Sequence, residues 1–420
     1  MIERPICEKS HDKDIDKKNS VGDPQSPTEK NMTKVLLVKY GEIALRKGNR
    51  AFFEHKLLDA IRHNLKGLGL RVAREQGRFL IEDPTGDIDS DAILPRIRHI
   101  FGLTNFCPAA KTPLTHIDDI RHLAVEFFRD HCQGYKTFKV ETKRSDKKYP
   151  LLSGQVSAEI GGDIFESDLG LAVDVHNPDI ILWVELRNNT YFYVDSTPGE
   201  GGLPYGSSGK GVLLLSGGFD SPVAGYLAAR RGVEITAIYF HSPPFVSERA
   251  LDKVKDLAGE LTKFAGKIKL VVVPFTDVQL FLKNSTHPEK LTILLKRAMF
   301  HIASALAEKE NALCLITGDS IGQVASQTIH SLAAVNSAAA TTVLRPLSIL
   351  DKQEIIDIAH KIGTFEISGR PYDDCCTLFV AKHPENKPST KAIEKIETQI
   401  MEKLAPLMTT ALEKAEVFEI

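Results

Sequence analysis

Val212-Leu213-Leu214-Leu215-Ser216-Gly217-Gly218-Phe219-Asp220-Ser221-Pro222-Val223-Ala224-Gly225-Tyr226-Leu227 is the stretch whose pattern decides the fold. An apolar run, a Gly/Ser turn and a helical segment follow one another without interruption, as in a buried strand feeding a helix. The first N–H groups of a helix have no partner within it and carry partial positive charge, so they suit a phosphate or pyrophosphate. Gly217 and Gly218 let the backbone approach that anion without an intervening Cβ. Ser216 and Ser221 add hydroxyl donors, and Pro222 suits the first helical turn, where a missing N–H costs nothing.

Outward from this turn, residues 211–420 alternate between strand and helix patterns. Strands are expected at Gly211–Leu215, Glu234–Phe240, Lys269–Pro274, Ala312–Thr317 and Thr342–Arg345, with helices near 222–231, 246–265, 288–310 and 321–328. Such alternation implies a parallel sheet covered by helices, which binds ligands at the carboxyl ends of its strands. Before it, Gly199–Lys210 is Gly-rich and has the composition of a linker or functional loop. Residues 33–100 and 101–198 form two smaller α+β units, and residues 1–32 are polar and aperiodic, the composition of a disordered tail.

The 420 residues are 42% hydrophobic and 26% charged, with a net charge of −2, so a nucleic-acid-binding role would require local concentration of basic residues. Lys143, Arg144, Lys147 and Lys148 form one such cluster, and Arg46, Lys47 and Arg50 another in a loop. No apolar run approaches the ~20 residues of a membrane helix, and a cytoplasmic protein with no membrane partner is the expectation. Six cysteines without a CxxC give neither a disulfide framework nor a metal signature, and no metal ligands are assigned.

Ser216–Ser221 is similar to the SGGxDS pyrophosphate-binding loop of the PP-loop ATP pyrophosphatases. Gly201-Gly202-Leu203-Pro204, the run Thr317–Thr328, Leu344-Arg345-Pro346-Leu347, Asp351–Ile356 and Tyr372–Phe379 narrow this to a resemblance to the tRNA 4-thiouridine synthetase (tRNA sulfurtransferase) family, from about 33 to about 390. The resemblance implies a PP-loop ATP pyrophosphatase domain with a parallel sheet, preceded by a ferredoxin-like domain and a THUMP RNA-binding domain. It is to the shorter form, without the rhodanese-like domain of some members. Three positions depart from the family's usual residues: Phe219 stands for Ile, Asp319 for Glu, and Lys296-Arg297 for Arg-Arg.

The implied chemistry is attack of uridine O4 at tRNA position 8 on the α-phosphate of ATP, followed by displacement of AMP by sulfur. The resemblance implies Mg²⁺ and tRNA as partners, a cysteine desulfurase as persulfide donor, a homodimer, and a role in thiamine thiazole synthesis. It places Leu214, Leu215, Ser216, Gly217, Gly218, Ser221, Tyr239, Phe240, Lys296, Arg297, Gly318 and Gln327 around ATP. Asp220 is a candidate for orienting Mg²⁺ or the loop; its plain alternative is a helix N-cap. Cys375 and Cys376 are the candidates for sulfur chemistry, with Cys376 favoured as the catalytic thiol. Cys7, Cys107, Cys132 and Cys314 are expected to be bystanders. Two other readings stay open: an RNA-binding protein with an inactive PP-loop, and an enzyme thiolating another tRNA position.

Overall fold

The computed structural model describes residues 32–75, 77–145, 147–372 and 385–420. The first half runs β1 (Thr33–Tyr40), α1 (Arg50–Asn64), β2 (Arg71–Glu75), β3 (Arg78–Glu82), α2 (Ser90–Ile97), β4 (Leu103–Pro113), α3 (Ile117–His131), β5 (Thr137–Arg144), α4 (Ser153–Glu166), β6 (Ala172–Val173), β7 (Ile180–Leu186), β8 (Asn189–Tyr193) and β9 (Thr197–Pro198). Its strands form one nine-stranded sheet in the order β2-β3-β1-β4-β8-β7-β5-β6, with β9 also on β4. Strand β4 pairs antiparallel with β1 over Leu103–Lys111 and with β8 over Ala110–Pro113, so one strand serves both small α+β units.

Alternation puts all four helices on one face of that sheet. Leu36, Val38 and Phe106 pack with Phe53, Leu57 and Ile61 of α1, while Phe138, Leu182 and Phe192 pack with Phe128 of α3 and Ile160 of α4. The opposite face holds Leu37, Leu80, Cys107, Tyr191 and Tyr193 around a buried ion cluster. There Glu185 accepts from Arg78 at 2.7 Å, Lys39 at 3.0 Å and the Tyr193 hydroxyl at 2.8 Å.

The second half runs β10 (Lys210–Leu214), α5 (Asp220–Arg230), β11 (Glu234–His241), α6 (Glu248–Ala265), β12 (Lys269–Pro274), α7 (Thr276–Ser285), α8 (Pro288–Lys309), β13 (Cys314–Ile316), α9 (Ile329–Asn336), β14 (Thr342–Leu344), α10 (Lys352–Lys361), α11 (Phe365–Ser368), α12 (Thr390–Glu413) and β15 (Glu416–Glu419). The sheet order is β14-β13-β10-β11-β12-β15. The first five strands are parallel and β15 is antiparallel to β12. Helices α7, α8, α9 and α12 pack on one face and α5, α6 and α10 on the other. Strand β10 lies between β11 and β13, so the chain leaves it in one direction and later returns on its other side. Such a reversal opens a crevice at the carboxyl end of that strand.

One expected element is corrected. Residues 321–328 are not a helix but a turn with a short 3-10 stretch at Ala325–Gln327. The helix starts afterwards, because the Thr328 side chain accepts from Ser331 N–H and caps α9.

Gly199–Lys210 is a packed joint. Gly102 N–H donates to Gly201 O at 2.6 Å, and Leu203 N–H to Arg230 O at 2.9 Å. A Cβ on Gly202, whose φ is +80°, would lie 2.1 Å from Arg230 O. Phe101 is buried in the second half's core against Tyr226 and Phe264 at ring distances of 5.5 and 5.8 Å. Beside them Glu200 accepts from Tyr226 at 2.6 Å and Lys361 at 2.8 Å, with His99 Nδ1 3.4 Å away.

Burial alone would raise the Glu185, Glu200 and Glu397 carboxyls, but the donors and cations around them outweigh it and hold each at about 2 instead of the usual 4.5. A depressed folded pKa stabilises above the unfolded pKa and loses that contribution as pH falls through the folded one. Stability of the folded chain is therefore expected to drop between about pH 4.5 and 2. Chemical denaturation across that range checks this, and Glu200→Gln is expected to flatten the profile.

Candidate nucleotide and transfer site

At the carboxyl end of β10 lies a cavity of about 240 Å³ lined by Leu214, Leu215, Ser216, Asp220, Ser221, Tyr239, Phe240, Lys296, Met299, Phe300, Thr317, Gly318, Asp319 and Gln327. Strand β10 supplies its floor, β11 and α8 an apolar wall, and the turn before α5 a polar end. A planar apolar group fits the wall and an anionic tail fits the turn.

The turn is braced internally. Ser216 N–H donates to Ser221 Oγ at 2.8 Å, and Gly218 N–H to Ser216 Oγ at 3.3 Å. Ser368 donates to Gly218 O at 3.3 Å from α11. Among the described residues no side chain caps the start of α5, which leaves that end open to an anion. A Cβ on Gly318 would sit 2.7 Å from Ser221 N and 2.8 Å from Asp220 C, so this glycine lets β13 meet the start of α5.

Asp220 does not act as a cap. Its Oδ1 lies 2.7 Å from Lys352 Nζ, and its Oδ2 accepts from Gln323 Nε2 at 3.2 Å. Lys352 stands in the first turn of α10, held by a capping box between Asp351 and Glu354. Sequence reasoning assigned Lys352 no role, because nothing in local spacing brings residue 352 to residue 220; the quoted run Asp351–Ile356 was the available signal.

Two of the departures from the family pattern are one contact: Lys296 Nζ lies 3.1 Å from Asp319 Oδ1. Thr317 Oγ1 donates to Asp319 Oδ2 at 2.8 Å, and Arg345 Nε lies 3.6 Å from the same oxygen. Burial pushes the Asp319 carboxyl up, and Lys296, Thr317 and Arg345 outweigh it to hold the group below its usual range. The third departure, Phe219, packs against Phe365 at 5.1 Å beneath Lys352, on the α10–α11 side of the turn.

Arg297 is a correction. The turn of α8 that aims Lys296 at the cavity aims Arg297 into the core, where it is 2% exposed. There it meets Glu397 at 3.0 and 2.5 Å and also donates to Ala334 O and Ser337 Oγ. With those acceptors in place its guanidinium has no ligand role in the cavity.

The basic clusters are only partly available. Arg144 braces the start of α4 through Tyr149 O at 3.0 Å and Ser153 Oγ at 3.3 Å. Arg50 is tied to Glu54 and the Tyr40 hydroxyl, both at 2.7 Å. Lys143 Nζ lies 4.4 Å over the Trp183 ring, and Arg46 4.4 Å over Phe53. Lys47, Lys147 and Lys148 are exposed. A further groove of about 770 Å³ between α1 and β2 is lined by Arg62, Lys66, Arg71 and Arg74, a basic surface that their scattered spacing hid.

Cys375 and Cys376, like Cys7, lie outside the described residues. Cys107, Cys132 and Cys314 are buried, and burial pushes their thiols up, away from reactivity. Among the described residues no group of three or more His, Cys, Asp or Glu side chains forms a metal cluster, and no helix is long and apolar enough to cross a membrane.

Fold and site together define a PP-loop type of nucleotide site on a parallel sheet, joined to two smaller α+β units. Family models match the chain in order: "ThiI ferredoxin-like domain" at 35–107, "THUMP domain" at 115–195 and "Thiamine biosynthesis protein (ThiI)" at 206–402. A probable tRNA sulfurtransferase of Lachnoclostridium phytofermentans is 47% identical over 392 residues, covering 93% of this chain and 100% of that one. One from Acetivibrio thermocellus is 46% identical, covering 93% and 99%. A crystal structure of a 4-thiouridine synthetase–RNA complex with bound ATP superposes with TM-score 0.81 at 38% identity, over 92% of this chain and 100% of that one. The chain belongs to the tRNA sulfurtransferase (4-thiouridine synthetase) family.

Proposed function

We propose that this protein thiolates uridine 8 of tRNA by adenylation and sulfur displacement, with ATP in the cavity at the carboxyl end of β10. The observation carrying this reading is the convergence of an uncapped helix start, Asp220 and Lys352 on one end of a cavity whose other wall is apolar. Leu214, Tyr239, Phe240, Met299 and Phe300 enclose the adenine, with Leu215, Gly318 and Gln327 beside the nucleoside. Ser216–Ser221 and Lys296 take the phosphates. Asp220 would hold Mg²⁺, which characteristically binds through one or two carboxylates plus substrate phosphates; the ion would supply neutralisation of leaving-group charge.

Uridine O4 attacks the α-phosphorus as N3 gives up its proton to solvent, the bond from the α-phosphorus to the bridging oxygen breaks, and pyrophosphate leaves. The negative charge that develops on the pyrophosphate is met by fixed N–H donors and cations, the arrangement that lowers such barriers most. The terminal sulfur of a persulfide then adds at C4, and AMP departs with the former O4. A thiolate attacks the inner sulfur of the resulting C4–S–S link, which releases 4-thiouridine with N3 reprotonated and leaves a disulfide that an external thiol reductant returns to thiols. Cys376, with Cys375 beside it, carries or resolves the persulfide, which a separate cysteine desulfurase supplies. A homodimer in the cytoplasm binds the tRNA through Lys143, Lys147, Lys148, Arg46 and Lys47, and the same sulfur relay serves thiamine thiazole synthesis.

Incubation of the protein with ATP, Mg²⁺, a cysteine desulfurase, cysteine and unmodified tRNA is expected to give 4-thiouridine at position 8, identified by nucleoside mass spectrometry. Binding of tRNA without AMP release would instead favour an inactive PP-loop. Cys376→Ser is expected to lose thiolation while ATP binding persists; full thiolation by that variant would move the role to Cys375.

A further inference from the structure

We infer that Gln323 is a specificity-determining residue that accepts the N3–H of the base to be thiolated, selecting uridine over cytidine. The inference rests on the adenylation chemistry proposed above. Gln323 stands in the turn between β13 and α9, just outside the lining of the nucleotide cavity, and donates from Nε2 to Asp220 Oδ2 at 3.2 Å. An ionised carboxylate only accepts, so Asp220 fixes the amide: Nε2 faces it and Oε1 faces the other way. That carbonyl oxygen is buried and has no hydrogen-bond partner among the described residues. Buried acceptors are normally paired, and one left open beside a site needs an explanation. The turn holding it is bonded through Ile321 N–H to Ser348 O at 3.3 Å and Gly322 N–H to Gln327 O at 3.0 Å.

A carbonyl oxygen repels phosphate oxygens, so Gln323 Oε1 does not serve the polyphosphate; it calls for an N–H or O–H donor. Gln327 has an unpaired Oε1 of its own and lines the cavity, which places it with the nucleotide. Gln323 lies on the Asp220 side and is left for the second substrate. Uracil carries an N3–H donor next to the O4 that must react. The contact acts while O4 attacks and this N–H grows more acidic, and the proton passes to solvent as the O4-adenylate, which has no N3–H, forms. Cytosine carries a lone pair at N3, which would face the amide oxygen and be rejected. A site built to pair a substrate N–H discriminates against an analogue lacking it, because its own polar group is then left unpaired.

The test uses tRNA with uridine or 3-deazauridine (C–H in place of N3–H) at the reacting position and measures tRNA-dependent AMP release. Gln323→Lys keeps a donor toward Asp220 and removes the acceptor. Wild-type protein is expected to lose about tenfold in kcat/KM on the exchange of bases. Gln323→Lys is expected to be down about tenfold on uridine and indifferent to the exchange, with ATP affinity, tRNA affinity and melting temperature unchanged. A variant as sensitive to the exchange as wild type, or a loss residing in ATP affinity, overturns the assignment. If Gln323→Lys does not fold, Gln323→Met carries the same comparison. Wild-type protein that makes no 4-thiouridine from uridine tRNA takes down the functional reading itself, and this assignment with it.

Discussion

Lys352→Met protein is expected to bind ATP nearly as well as the parent while releasing AMP about 10²–10³-fold more slowly. The ammonium group reaches Asp220 from α10, an element separate from the nucleotide cavity walls, and remains 44% exposed on its side chain. That exposure gives it little weight in stability. Its position at the polar end of the cavity gives it weight where charge develops on the leaving pyrophosphate. Asp220→Asn is expected to slow AMP release to a similar degree, and the double variant to lose little more than either single one, since both break one unit. Single-turnover AMP release with matched melting curves is the measurement. A Lys352→Met rate within threefold of the parent would discard the role.

Arg297→Met should instead strike the fold. Its side chain is 2% exposed and Glu397 is 5% exposed, so removing the cation leaves a carboxylate buried with, among the described residues, only His301, 3.2 Å away, as a charge partner. Breaking a buried pair from one side costs about 3–5 kcal/mol. In a domain of this size that is about 10 °C in melting temperature. Replacing both partners with apolar residues, Arg297→Met with Glu397→Leu, is expected to recover most of the loss, because the orphaned charge disappears. Thermal denaturation of the three proteins decides it. Equal destabilisation of single and double variants would show that the pair contributes by something other than charge compensation.

The contrast between Lys296 and Arg297 explains what was legible in the sequence. Strand β10, the turn and α5 are contiguous, and their order alone placed an anion site at Ser216–Ser221. Which of two adjacent cations enters the site depends on about 100° of helix rotation and on what packs behind the helix. Glu397, the partner that claims Arg297, lies 100 positions away on α12. Lys352 and Gln323 escaped assignment for the same reason: their partner Asp220 is 132 and 103 positions distant. The alternating pattern predicts a helix near 321–328, but Gly322 at φ +79° and the Thr328 cap make this stretch a loop. That loop carries Gln323 to Asp220 and Gln327 to the cavity.

The packed joint at Gly199–Lys210 bears on how this architecture can be rearranged. A chimera that exchanges the first half for that of a relative cannot be cut at the glycines and rejoined through a flexible spacer. Phe101 completes a core that belongs to the other half, Glu200 neutralises Lys361 there, and Gly202 tolerates no side chain against Arg230. The transferable unit therefore includes the receiving surface of Tyr226, Phe264 and Lys361 as well as the donor sheet. A graft without that surface would leave a buried carboxylate unpaired and a hole where a phenyl ring belongs.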